Sequence, residues 1–108
     1  MSDMAWELYP ESLACVTREL AKYRIPIYVA EHGLADAKDS RREWFLTESL
    51  KYLHKAIEEG VPIKGYTHWS LLDNFEWDKG FWPRFGLVEV DFKTQKRTIR
   101  PSAYEYAK

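Results

Sequence analysis

Cysteine is almost missing from this 108-residue sequence: Cys15 stands alone. No intrachain disulfide can form, and no Cys/His cluster has metal-ligand spacing, so neither a disulfide scaffold nor a structural zinc centre is expected. An excess of charge of either sign is missing too. Sixteen Lys and Arg oppose seventeen Asp and Glu, leaving a net charge of −1. Nucleic acid and anionic membranes are recognised by basic surfaces, so neither is expected as a partner. No apolar run approaches the ~20 residues that cross a bilayer. The opening MSDMAWELYP has neither the charged start nor the apolar stretch of a secretory signal, and the expectation is a reduced, cytoplasmic setting. There are no repeats and no low-complexity tracts. The length admits one domain, residues 1–108, without room for a separate cofactor module, and no cofactor is expected.

Aromatic residues are what the sequence has in quantity. Five Trp, seven Tyr and five Phe make up 16% of it, and Trp69, Trp77 and Trp82 crowd into one short stretch. The rest reads as alternating elements. After Pro10, Leu13, Val16, Leu20 and Tyr23 recur at helical spacing. Pro26 precedes a short apolar run, Ile27-Tyr28-Val29-Ala30, which predicts a buried strand. A polar loop ends in Ser40-Arg41-Arg42-Glu43, a capping-box pattern that predicts a helix start. That helix carries Leu46, Leu50, Leu53 and Ile57 on one face and stops at Gly60. Pro62 introduces a second strand from Ile63 to about Trp69. Strand, long helix, strand is a βαβ unit with parallel strands and a right-handed crossover. Beyond an aromatic loop, Phe85 to Phe92 alternates at period two, turns at Lys93 to Lys96 and returns through Arg100 as a hairpin. A last helix covers Pro101 to Ala107.

In parallel α/β folds, chemistry gathers at the carboxyl ends of the strands. Glu31 stands at one such end, and WSLLDNFEW follows the other. Carboxylates interleaved with indoles suit a sugar: the rings stack on pyranose C–H faces while Asp73, Glu76 or Asp78 accept hydroxyl hydrogen bonds. On the spacing alone, the same aromatics serve equally well to cover the open end of a sheet.

Tyr28-Val29-Ala30-Glu31-His32-Gly33 resembles the nucleophile motif of family 1 glycoside hydrolases, the retaining β-glucosidase and β-galactosidase group. Gly65-Tyr66-Thr67-His68-Trp69-Ser70-Leu71-Leu72-Asp73-Asn74-Phe75-Glu76-Trp77 is similar to that family's sugar-binding signature. Arg84-Phe85-Gly86-Leu87-Val88 with Asp91, and Trp6-Glu7-Leu8-Tyr9-Pro10, resemble the flanking segments. The resemblance implies that Glu31 is the catalytic nucleophile, attacking the anomeric carbon to form a glycosyl-enzyme that water hydrolyses. It implies that Glu76 and Trp77 bind glycone hydroxyls over Trp69 as a stacking floor, with Trp82 on the loop that closes near the sugar. Ala30 and His32 stand where the family usually has Thr and Asn. An extended backbone turns the His32 side chain away from that of Glu31.

The family's fold is a (β/α)8 barrel, which takes ~250 residues. The resemblance covers its last quarter, so the expected fold is a partial barrel: the last two βα units with parallel strands, plus a C-terminal hairpin. The family's acid/base carboxylate lies in an Asn-Glu-Pro motif after an earlier strand, and this sequence contains no such tripeptide. Weak hydrolysis favouring aryl β-glycosides is therefore expected; the rival expectation is a non-catalytic fragment that binds sugar or complements a barrel. Two parallel strands leave open edges and a half-covered face. Self-association as a homo-oligomer, a complementary barrel fragment in trans, or a loosely packed monomer would each answer that. Self-association is the arrangement the sequence favours, since four copies would supply eight strands.

Overall fold

A computed structural model describes residues 1–108. An N-terminal segment leads into helix α1 (Ser12–Leu20), a 3₁₀ turn at Ala21–Tyr23, strand β1 (Ile27–His32), helix α2 (Arg42–Glu58) and strand β2 (Ile63–His68). After an aromatic loop containing a second 3₁₀ turn, Trp77–Lys79, come β3 (Val88–Val90), β4 (Arg97–Ile99) and helix α3 (Pro101–Tyr106). Strands β1 and β2 pair in parallel, β3 and β4 antiparallel. The sheets are two-stranded and the barrel is not closed. The expected helix–strand order, the βαβ unit and the hairpin are all present.

The faces of the helices differ from those the spacing predicts. On α1 the buried residues are Ala14 and Thr17, whereas Val16, Leu20 and Tyr23 are exposed. On α2 the packed stripe runs through Phe45, Leu46, Ser49, Leu53 and Ala56; Leu50 is half-buried and Ile57 exposed. The reason is size. Ala14 and Ala56 join Val29, Leu53, Val61 and Ile63 in one core cluster, where small residues let α1 and α2 approach each other and the sheet closely. The Thr17 hydroxyl donates to the Leu13 and Ala14 carbonyls at 3.0 Å, so its polarity is spent within its own helix. Of the residues that the spacing picks out, Leu46 and Leu53 are buried and Leu13 packs against the core, while Val16, Leu20, Tyr23 and Ile57 face out.

The capping box does not form. The α2 N-terminus is capped by Asp36, whose carboxylate accepts the Arg41 and Arg42 backbone N–H groups at 2.7 and 3.1 Å, while no cap bond comes from Ser40. Asp36 is fully buried, and hydrogen bonds from Arg41 and the charges of Arg41 and Arg42 overcome the opposing effect of burial to hold its carboxyl below the usual range. Asp39 does the same service for α3: it accepts the Ser102 N–H at 2.9 Å and the Ser102 hydroxyl at 2.7 Å, and pairs with buried Arg42.

The surface left over is large. The chain exposes 7157 Å², against about 6,300 Å² for a closed monomer of its mass. Its radius of gyration is 14.9 Å, where about 13 Å is typical of this length. Both strands of the parallel pair keep one open edge, and Tyr28, on the face away from the helices, is 69% exposed.

Candidate active site

The carboxyl end of the parallel sheet is an open cleft of ≈ 450 Å³ lined by Trp6, Glu31, His32, Gly33, Trp69, Glu76, Trp77 and Phe85. Each arrives by a different route. Glu31 and His32 close β1, and Trp69 is the first residue beyond β2. The two strand ends are locked together: the Trp69 N–H donates to the His32 carbonyl at 2.9 Å. Gly33 is required there, because a Cβ would overlap the Trp69 carbonyl oxygen. The Trp69–Ser70 peptide bond is cis.

Glu76 and Trp77 sit on a tight turn in which the Glu76 N–H donates to the Gly80 carbonyl at 2.7 Å and the Gly80 N–H returns to Trp77 at 3.1 Å. Trp77 has φ 46°, a left-handed conformation uncommon for a bulky residue, and is 81% exposed. The turn therefore holds an indole out over the cleft at some conformational cost. Trp6 reaches the cleft from the N-terminal segment, with its ring centroid 6.2 Å from that of Phe85. That segment is tied to the loop after β1 by Asp3, which accepts the Ala37 N–H at 2.7 Å and pairs with Arg41 at 2.6 Å.

The structure thus brings together Glu31, Trp69, Glu76 and Trp77. It does not bring in Trp82, which is exposed and outside the cleft lining. Asp73 is also absent from it. Its buried carboxylate takes Arg100 at 3.0 and 3.1 Å, Arg84 at 3.3 Å, and the Gly86 and Val90 N–H groups at 2.9 and 3.2 Å. Burial opposes ionisation, but Arg100 and these amides hold the carboxyl below its usual range. Asp73 is a structural clasp, and Asp78 is a surface residue paired with Lys79. The sequence reading missed Trp6 and Phe85 as lining residues; their places in the flanking segments of the resemblance were the available signal.

His32 lies on the helix side of β1, opposite to Tyr28 four residues earlier, so the strict alternation of the strand is broken between them, where the pairing register shifts. Its ring stacks on Phe45 with centroids 5.1 Å apart and its Nδ1 lies 2.9 Å from the Tyr66 hydroxyl. Burial lowers its pKa. His68, its partner in register, is buried against Tyr106 with both ring nitrogens unpaired; burial and then the charge of Arg42 push it down to about 4. Burial likewise raises the Tyr66 phenol. A larger groove of ≈ 640 Å³ runs along α2 beside α3, but it contains no indole and lies away from the strand ends.

Comparison with known proteins places the chain that carries this cleft in a family. The sequence profile of glycosyl hydrolase family 1 matches residues 1–108. The chain belongs to glycosyl hydrolase family 1. A β-galactosidase from Pyrococcus woesei is 48% identical over 100 residues, 93% of this chain and 20% of its own length. β-Glucosidase A from Thermotoga maritima is 42% identical over 115 residues, 96% of this chain and 26% of its own. Among solved structures, a hyperthermophilic β-glucosidase mutant that forms a dodecamer in the crystal superposes with a TM-score of 0.96 at 48% identity, covering 99% of this chain and 24% of that one. The Thermotoga maritima β-glucosidase in complex with glucoimidazole gives 0.94 at 40%, covering 98% and 27%. The chain therefore spans roughly a quarter of its family 1 relatives, and the fold it shares with them is an α/β portion of their barrel.

Proposed function

We propose that this chain carries the nucleophile side of a retaining β-glycosidase site acting on β-glucosides or β-galactosides. Glu31 attacks the anomeric carbon and displaces the aglycone oxygen; water then cleaves the glycosyl ester and restores the carboxylate. Glu76 accepts glycone hydroxyls, Trp77 donates to one through its indole N–H, and Trp69 provides the stacking floor. Trp82 is assigned to the rim rather than to the glycone. The observation that carries this reading is the convergence of Glu31, Glu76, Trp69 and Trp77 on one cleft. No residue of this chain is assigned as the general acid. Aryl β-glycosides, whose leaving groups need no proton, are the substrates of choice, with disaccharides slower by about the 10²–10⁴-fold that acid catalysis supplies. A reduced, cytoplasmic setting belongs to the same proposal.

A second reading is supported by the chain's share of its relatives' length and by the open strand edges. In it the chain binds sugar, or completes a barrel whose remaining portion supplies the acid, without turning over alone. Homo-oligomerisation is the assembly proposed for the chain by itself. One experiment separates the readings. Incubation with a 2-fluoro aryl glycoside, digestion and mass spectrometry should place one sugar on the peptide containing Glu31, with hydrolysis lost in Glu31→Gln and assembly retained. Hydrolysis undiminished in Glu31→Gln would remove the nucleophile assignment. Sugar binding without label or turnover would leave the second reading in place.

A further inference from the structure

The pairing of β1 with β2 is irregular at one place only on the site side, and Glu31 lies in it. Val29 pairs with Tyr66 and His32 with His68, so Ala30 and Glu31 on β1 face the single residue Thr67 on β2. Two residues opposite one is a β-bulge, a device that bends a strand and re-aims a side chain. A bulge holds its aim only if the chain on its far side is fixed, and here the fixing falls on His32. Its carbonyl accepts the Trp69 N–H at 2.9 Å, its ring stacks on Phe45, and its Nδ1 lies 2.9 Å from the Tyr66 hydroxyl, which also reaches the His32 carbonyl at 3.4 Å. Tyr66 is itself set into the core that joins the sheet to α2. The side chain after Glu31 is thereby bolted, across the strand seam, to the residue opposite Val29 on the other side of the bulge.

We propose that His32 and Tyr66 form a latch that spans the bulge and sets the position of Glu31. They are positioning residues that act through Glu31, and the proposal rests on Glu31 being the nucleophile. The Tyr66 hydroxyl has one proton, and the shorter of its two contacts is to Nδ1. Either ring tautomer keeps the bond: Nδ1 accepts the Tyr66 proton, or Nδ1–H donates to the hydroxyl, which then turns its proton to the His32 carbonyl. A buried histidine seeks a partner for its ring nitrogens in any case; what makes this one a latch is that the partner of Nδ1 lies across the bulge, on the residue opposite Val29.

The test uses the full chain and two near-isosteric changes, with two readouts. His32→Phe keeps a ring on Phe45 and loses Nδ1, and Tyr66→Phe loses one oxygen. Backbone order parameters of Ala30 and Glu31 should fall from the rigid range near about 0.85 toward about 0.6 in either variant, with Val29 and Tyr52 unchanged. The 2-fluoro glycoside should label Glu31 about tenfold more slowly at unaltered inhibitor affinity. The double variant should be no worse than either single, because both remove the same bond. His32→Gln, whose side-chain carbonyl can accept the Tyr66 hydroxyl, should recover part of both. Unchanged order parameters in both variants would overturn the latch, whatever the labelling does. So would additive losses in the double variant. Loosened Ala30 and Glu31 with no label even in the parent would overturn the nucleophile assignment and with it the proposed role, while identifying the His32–Tyr66 bond as a purely structural tie. Should His32→Phe fail to fold, Tyr66→Phe alone decides.

Discussion

At the scale of single residues, the carboxylates at the cleft, exposed Glu31 and half-buried Glu76, contrast with Asp36 and Asp73, which are buried and hold the loops. Asp73 is the clearest of the second kind. Asp73→Ala would leave Arg100 buried and unpaired and strand two backbone amides, so a loss of about 3–5 kcal/mol is expected, enough to unfold a chain this small. Urea titration should show it, with Asp78→Ala unchanged beside it. His68 governs the response to acid. It is neutral when folded, near a pKa of about 4, and titrates in its ordinary range when unfolded. The unfolded chain therefore binds the extra proton first. The His68 contribution is complete above about pH 6.5 and is lost as pH falls toward 4, which amounts to about 2 kcal/mol between pH 7 and pH 5. His32 shifts in the same direction. Denaturation midpoints across that interval should flatten in His68→Phe. The placement of Glu31 and Trp69 at the two strand ends was legible from the apolar runs before them, whereas a sugar-site role for either came only from the family resemblance. The role of Asp73 was not legible: its partners lie up to 27 positions away, and nothing in a string of residues distinguishes a buried acid from a sugar ligand.

At the scale of elements, the order of helices and strands could be read from proline, glycine and apolar runs, whereas the faces and the caps could not. Period alone does not say whether a helix is seated by its large residues or by its small ones, and α1 sits on Ala14 and Thr17. The α2 cap gives this difference a measurable form. Ser40→Ala should leave stability unchanged, since Ser40 makes only a 3.5 Å contact to Asp36. Asp36→Ala removes the two N–H bonds and the Arg41 pair, and should cost about 2 kcal/mol, the upper end for a helix cap. Equal effects from the two changes would restore the capping box. The cap that the pattern promised was displaced by a carboxylate four residues earlier, because Asp36 is fixed from below by the Arg84 carbonyl accepting its N–H at 3.0 Å.

At the scale of the whole molecule, the excess of about 900 Å² over a closed monomer of this mass matches the roughly 800 Å² that each partner contributes to an ordinary protein interface. Exposed apolar residues contribute to it, among them Val16 and Leu20 on α1, Tyr23 and Ile25 on the way into β1, and Tyr28 on β1 itself. Sedimentation of the isolated chain should therefore give a mass above 12.8 kDa at micromolar concentration; a rigid monomer that binds no hydrophobic dye would contradict this. The clasp at Asp73 bears on a different property, the tolerance of the chain to being cut. The turn between β3 and β4 is exposed and carries Lys93 and Lys96, both open to trypsin. A nick after Lys96 severs the backbone but not the ladder from Arg97 to Ile99, the Arg100–Asp73 pair, or the seat of Ser102 on Asp39. Residues 97–108 should stay bound to the larger piece through native chromatography and separate only in denaturant, so the chain's last helix behaves as a docked peptide whose covalent link is dispensable once it is in place.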